Sequence, residues 1–84
     1  MKKYLQKTEK VLNDYGYLCQ VEVNDKYCEL VLNDIDIRAF DNKTIIVDIF
    51  DENGSNEIEE TIMFRTQKAL IEFLEYRGFT SLYD

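Results

Sequence analysis

Carboxylate side chains crowd the middle third of this 84-residue chain. The segment from Asp34 to Glu60 accounts for the whole net charge of −7, because the other 57 residues hold eight acids and eight bases. Nine acids in this segment are opposed only by Arg38 and Lys43: Asp34, Asp36, Asp41, Asp48, Asp51, Glu52, Glu57, Glu59 and Glu60. Acidity concentrated in this way creates a local negative field that a positively charged partner can sense.

Most catalytic and metal-binding chemistries lack their residues here. The absence of histidine removes most general-base mechanisms, most nucleophile triads and most zinc sites. The segment that starts at Asp51 resembles a calcium loop, but Gly54 is in the fourth place rather than the sixth and Ile62 replaces the bidentate glutamate. Exposed carboxylates on a flat sheet would also lack the pocket that hydrolysis needs. We therefore expect no enzyme activity, no cofactor and no metal.

Length and composition predict one compact domain, residues 1–84. Hydrophobic residues make up 45% of the chain, too many for a disordered acidic tail. The N-terminal lysines are not followed by an apolar stretch, so we expect neither a signal peptide nor a membrane anchor, and a cytoplasmic location. Cys19 and Cys28 are then expected to be buried, reduced thiols rather than a disulfide.

Two helical segments, Lys2–Tyr15 and Gln67–Arg77, bracket the chain. Each has apolar residues at helical spacing and is followed by a glycine, Gly16 or Gly78. A glycine at this place can adopt the positive φ of a left-handed helix cap. Thr66 is the expected N-cap of the second helix.

Between the helices, apolar residues alternate with polar ones, as in half-buried strands. Segments 19–23 and 28–32 form a first hairpin if Asn24 and Asp25 make a two-residue turn. That register places Cys19 opposite Leu30 and makes the two cysteines diagonal neighbours, roughly 7 Å or more apart, which is poor disulfide geometry.

The next strands leave one point open. In the second strand of the first hairpin, apolar residues fall at even-numbered positions up to Leu32, and they fall at odd-numbered positions in the segment that begins at Ile35. Either a turn between two strands or a bulge within one long strand would produce this change. Segments 44–50 and 58–64 form the clearest hairpin, joined through Asn53-Gly54. The resulting fold class is α+β, with an antiparallel sheet of three to five strands flanked by an N-terminal and a C-terminal helix.

The strand registers predict a row of carboxylates. A three-residue loop at 41–43 pairs Asp36 with Asp48, and an Asn53-Gly54 turn pairs Asp48 with Glu59. These side chains lie on the sheet face opposite the helices, in strands about 4.8 Å apart, if the apolar residues Ile35, Ile37, Ile45, Val47, Ile49, Ile58 and Ile62 face the helices. Directly opposed like charges cost stability, which favours a functional reason for them, although a simply solvated acidic face is the alternative.

The strand positions predicted to face away from the helices also include apolar residues: Ile46, Phe50 and Met63, together with Val31 and Phe40. An apolar centre rimmed by carboxylates is typical of a protein-binding surface. The alternative is that a helix, or the tail Thr80–Asp84, covers this side. Glu60 falls in a position that would face the core, so we expect it to lie near a sheet edge, to pair with a lysine or arginine, or to mark an error in the predicted register.

In design, the chain resembles the small acidic anti-CRISPR proteins that phages use against type II CRISPR nucleases. The resemblance rests on the short N-terminal helix, the antiparallel sheet, the acidic hairpin with Asn53-Gly54, and the helix Gln67–Arg77 with an aromatic residue after its glycine. It implies an acidic face that mimics nucleic acid and occupies an arginine-rich DNA-reading site, in the cytoplasm of a phage host. The chain departs from that family by lacking a dense acidic run near its C-terminus.

The sequence thus predicts an acidic inhibitor that binds a basic nucleic-acid-handling protein, such as a CRISPR nuclease, and does not itself bind nucleic acid or membranes. The alternatives are a structural or regulatory module, monomeric or homodimeric through its outer sheet face, and an immunity-type or antitoxin-type nuclease inhibitor. The predicted partner-binding residues are Asp36, Asp48, Asp51, Glu52, Glu57, Glu59, Ile46, Phe50 and Met63.

Overall fold

The computed structural model describes residues 3–17, 19–32, 34–51 and 57–77. They form an α+β fold in which one five-stranded antiparallel sheet, with its strands in sequence order, lies between an N-terminal and a C-terminal helix in the chain. The predicted fold class is confirmed. The elements are α1 (Lys3–Asp14), β1 (Glu22–Val23), β2 (Tyr27–Leu32), β3 (Ile35–Phe40), β4 (Ile45–Phe50), β5 (Ile58–Phe64) and α2 (Gln67–Arg77).

Helix α1 ends at the predicted glycine cap. Gly16 has a φ of 98°. Its N–H donates to the carbonyl of Asn13 at 3.0 Å, and the N–H of Tyr17 donates to the carbonyl of Leu12 at 3.1 Å. This pair of bonds is the Schellman motif, which satisfies carbonyls that the helix end would leave unpaired. The second predicted cap, at Gly78, lies outside the described residues.

Helix α2 has the predicted bounds, and its N-cap is confirmed, since the Thr66 hydroxyl accepts a hydrogen bond from the N–H of Ala69 at 3.1 Å. Gln67, at the start of α2, ties the two helices together. Its Oε1 accepts from the buried hydroxyl of Thr8 at 3.3 Å, and its Nε2 donates to the carbonyl of Lys3 at 3.1 Å. The buried polar group of Thr8 is therefore paired, as the interior requires.

The first hairpin has the predicted faces but not the predicted register. Val23 pairs with Cys28, and the N–H of Asn24 donates to the carbonyl of Tyr27, so the turn lies one residue later than the sequence indicated. The two cysteines are free, as predicted, and Cys28 is buried. Cys19, however, is only half-buried and does not lie opposite Leu30, because it precedes β1.

Side chains of α1 explain why β1 has only two residues. Glu9 Oε2 accepts from the N–H of Val21 at 2.7 Å, and Asn13 Oδ1 accepts from the N–H of Cys19 at 3.2 Å. These backbone donors bond to the helix, so they are not available for a ladder with β2. Segment 19–21 therefore runs along α1 rather than extending the sheet.

The middle of the sheet settles the open question about Leu32. Leu32 pairs with Ile35, so β2 and β3 are separate strands joined by a two-residue connection rather than one bulged strand. The 41–43 loop then pairs Asp36 with Asp48, as predicted. Lys43 takes a φ of 68° in the third position of that loop, where three-residue hairpins place a left-handed residue.

The last hairpin departs from the prediction. Asp48 pairs with Thr61 rather than with Glu59, a difference of two residues. One residue is already gained at Phe50, which pairs with Ile58 instead of Glu57, and the second is gained by the register shift between Phe50 and Ile49, which pairs with Glu60. Glu59 is the extra residue of this β-bulge. The predicted turn at Asn53-Gly54 lies outside the described residues.

The core lies between the helices and one face of the sheet. Its fully buried side chains include Leu5 and Leu12 of α1, Leu70 of α2, and Leu30, Ile37 and Val47 of the sheet. Ile58 was expected to face the helices, but it is 53% exposed beyond the bulge, opposite Phe50. Among the described residues, no helix is long and apolar enough to cross a membrane.

Candidate partner-binding surface

The sheet face opposite the helices, called here the outer face, contains most of the residues singled out from the sequence. The strand registers arrange it in rows that cross the sheet. One row runs Glu29, Arg38, Ile46 and Met63, and the next runs Val31, Asp36, Asp48 and Thr61. Phe50 and Ile58 form a third row beside the bulge.

The two central carboxylates are not the exposed groups that the sequence indicated. Asp36 and Asp48 lie directly opposite each other, as predicted, but each is only 7% exposed. Both are short side chains on the middle strands of the sheet, flanked by longer side chains such as Arg38 and Phe50. Their charges are therefore largely withdrawn from a partner.

A single guanidinium relieves the repulsion between these carboxylates. Arg38 donates to Asp36 Oδ2 from Nη2 at 2.9 Å and from Nε at 3.2 Å. Its Nη2 lies 3.7 Å from Asp48 Oδ2, and its Nε lies 3.5 Å from Glu29 Oε2. We call these four residues the Arg38 cluster. With every group ionised, three carboxylates surround one cation and leave a formal charge of −2.

Neighbouring groups hold the Arg38 cluster in place. The hydroxyl of Thr61 donates to Asp48 Oδ1 at 2.8 Å, so the bulge that brings Thr61 opposite Asp48 also gives this carboxylate a donor. The ring of Tyr27 lies 5.9 Å from the Arg38 guanidinium carbon, within the range of a cation–π interaction. Hydrogen bonding to Asp36 raises the pKa of Arg38, which keeps it protonated.

The cluster is short of donors. Among the described residues, Asp36 Oδ1 is buried without a hydrogen-bond partner. A protonated Glu29 can donate to Asp36, and this hydrogen bond, followed by burial and the charge of Asp36, raises the pKa of Glu29 above its ordinary 4.5. The raised pKa of Glu29 thus follows from three carboxylates sharing one cation.

Apolar side chains surround the cluster. Val31 and Met63 are each 60% exposed, and Ile46 and Phe50 are half-buried. The sequence indicated an apolar centre with an acidic rim, whereas the structure has a polar centre with an apolar surround. Neither helix covers this side, because both pack on the opposite face; the tail Thr80–Asp84 lies outside the described residues.

A group of accessible acids lies at one end of the last hairpin, which we call the acidic end. Glu57, Glu59 and Glu60 are exposed and Asp51 is half-buried, while Glu52 is outside the described residues. The N–H of Asp51 donates to the carbonyl of Glu57 at 2.9 Å, which closes the base of the hairpin and brings the two residues together. Glu60 lies on the edge strand β5, as expected from its parity.

Sequence reasoning missed three residues of this surface: Glu29, Arg38 and Thr61. The signal for Arg38 was present, since it lies two residues from Asp36 on the same strand and therefore on the same face. Thr61 could not be found, because the predicted register placed Glu59 opposite Asp48 and no feature of the sequence indicated the bulge. The described residues contain no group of three or more histidine, cysteine, aspartate or glutamate side chains arranged to hold a metal ion.

Comparison with known proteins does not identify a relative. No protein-family model, no curated protein and no solved structure matches this chain. The geometry of the outer face is therefore the basis for an assignment.

Proposed function

We propose that this protein is an acidic inhibitor that binds a basic nucleic-acid-handling protein, of which a type II CRISPR nuclease is the model case, and blocks its nucleic-acid site. The observation that carries the proposal is the outer face. Both described helices pack on the other side of the sheet, so exposed Val31 and Met63 adjoin a cluster of net negative charge.

The two parts of the surface have different roles in this proposal. The apolar residues Val31, Ile46, Phe50 and Met63 supply the desolvated centre that contributes most of the affinity in typical interfaces. The acidic end supplies long-range attraction, which accelerates encounter with a cationic surface. Asp51 and Glu57 stand in for phosphates and pair with arginine or lysine.

The buried carboxylates have a supporting role. Asp36 and Asp48 are already paired with Arg38, so a partner would have to break these contacts to reach them. They contribute a fixed negative potential beneath the apolar residues rather than direct ion pairs.

The test is a charge-neutralised variant with Asp51→Asn and Glu57→Gln, which leaves Glu59 in place. Its matched control, Asp25→Asn with Glu72→Gln, removes the same charge at exposed positions away from the outer face. We expect the first variant to inhibit a guide-loaded type II nuclease at least about tenfold more weakly, and the control to inhibit like the wild type. Equal inhibition by the two variants would contradict the proposed role of the acidic end.

A further inference from the structure

Strand β5 is an open edge of the sheet. The strand order places β5 last, and within the described residues its only strand partner is β4. It is seven residues long, whereas the strand at the other edge, β1, has two. A long open edge presents unpaired backbone donors and acceptors to another strand.

The ladder pattern identifies the outward groups. The N–H of Phe40 in β3 donates to the carbonyl of Thr44, just before β4. Successive residues of a central strand bond alternately to the strand on either side, so the backbone groups of Val47 and Ile49 bond to β5. Their partners Ile62 and Glu60 bond back to β4. The backbone groups of Thr61 and Met63 therefore point away from the sheet.

The bulge selects the centre of any further pairing. It displaces Glu59 from the regular ladder, so the regular part of β5 is Glu60–Phe64, with Ile62 at its middle. A two-fold axis through Ile62, perpendicular to the sheet, places Thr61 opposite Met63 of a second copy and joins their outward groups in hydrogen-bonded pairs.

The charges favour this register. At both ends of the paired segment Glu60–Phe64, it brings Glu59 of one copy close to Arg65 of the other, and among the described residues neither Glu59 nor Arg65 has an ion-pair partner. A centre one residue earlier, at Thr61, would make the two copies of Glu60 diagonal neighbours. Opposed unlike charges stabilise a strand pair, and adjacent like charges destabilise it.

We propose that this protein forms a homodimer through antiparallel β5–β5 pairing centred on Ile62. The two five-stranded sheets then form one continuous sheet of ten strands. Because the two-fold axis is perpendicular to the sheet, both outer faces lie on the same side. The dimer presents two candidate binding surfaces side by side, and its existence does not depend on the proposed function.

A charge-swap experiment tests the pairing. In Glu59→Arg, positions 59 and 65 of the two copies both carry arginine, and in Arg65→Glu both carry glutamate. The repulsion between like charges should weaken dimerisation of each variant at least about tenfold. An equimolar mixture of the two variants restores both unlike pairs and should form a heterodimer. Sedimentation equilibrium over a range of chain concentrations measures all three samples, with Glu72→Arg on α2 as the matched control.

Two further variants separate this dimer from one that buries the outer face. Met63→Pro removes an outward N–H without removing a bond to β4, and circular dichroism checks that the monomer stays folded. Val31→Lys alters the outer face on β2, three strands from the edge. We expect Met63→Pro to be monomeric and Val31→Lys to be dimeric. A monomeric wild type, a mixture that fails to associate, or dissociation by Val31→Lys alone would overturn the proposal.

Discussion

At the scale of single residues, the central feature is how few cations the outer face provides for its carboxylates. Arg38 contacts Glu29, Asp36 and Asp48, and removing a partner from such a cluster leaves a partly buried charge uncompensated. Neutralising Asp48 would remove one anionic partner of Arg38 and weaken the hydrogen bond that Thr61 donates to it. Variants that test binding therefore belong at the acidic end.

The raised pKa of Glu29 predicts a pH dependence of stability. Between the ordinary value of 4.5 and the raised value, the folded protein retains a proton that the unfolded chain has released. The free energy of unfolding therefore falls as the pH rises through this window. The side chain in Glu29→Gln stays neutral at every pH, so its contribution to the free energy of unfolding should not fall in this window. The stability of Glu29→Gln relative to the wild type should therefore be higher at neutral pH than below pH 4.5.

Urea denaturation at the two pH values measures this difference, with Glu75→Gln, exposed on α2, as the control. The same pH dependence in the wild type and in Glu29→Gln would show that Glu29 does not share its proton with Asp36.

At the scale of elements, features set by nearby residues were predicted correctly from the sequence. Features that depend on contacts between elements were not. The bounds of α2, the cap at Gly16 and the pairing of Asp36 with Asp48 follow from capping residues, glycine and a short loop. The truncation of β1 depends on Glu9 and Asn13, which belong to another element, α1. The bulge at Glu59 likewise has no local signature, and it contributed to moving Glu59 away from Asp48.

The cap of α1 gives a stability prediction. Gly16 has a φ of 98°, where a β-carbon is unfavourable, so Gly16→Ala should destabilise the protein by about 1 kcal/mol or more. Gly16→Asn, which tolerates the left-handed region better, should cost less than Gly16→Ala. Thermal unfolding of both variants measures the order. An alanine variant as stable as the wild type would show that the Schellman motif contributes nothing to folding.

At the scale of the whole molecule, one side of the sheet serves folding, and we propose the other for recognition. The helices bury one face, and the other presents Val31 and Met63 beside the Arg38 cluster. The charge of −7 was predicted from composition to serve a basic partner, and several of its accessible carboxylates lie at the acidic end. Composition could not distinguish these exposed acids from Asp36 and Asp48, since burial depends on neighbours across strands.

The most direct measurement of the proposed function is competition with DNA. A labelled duplex that carries the short recognition motif is bound to a guide-loaded type II CRISPR nuclease, and fluorescence anisotropy follows its displacement by this protein. We expect full displacement that weakens as salt is added, because carboxylates replace phosphates at the same cationic site. Binding of the protein without loss of DNA, or no binding at all, would contradict it.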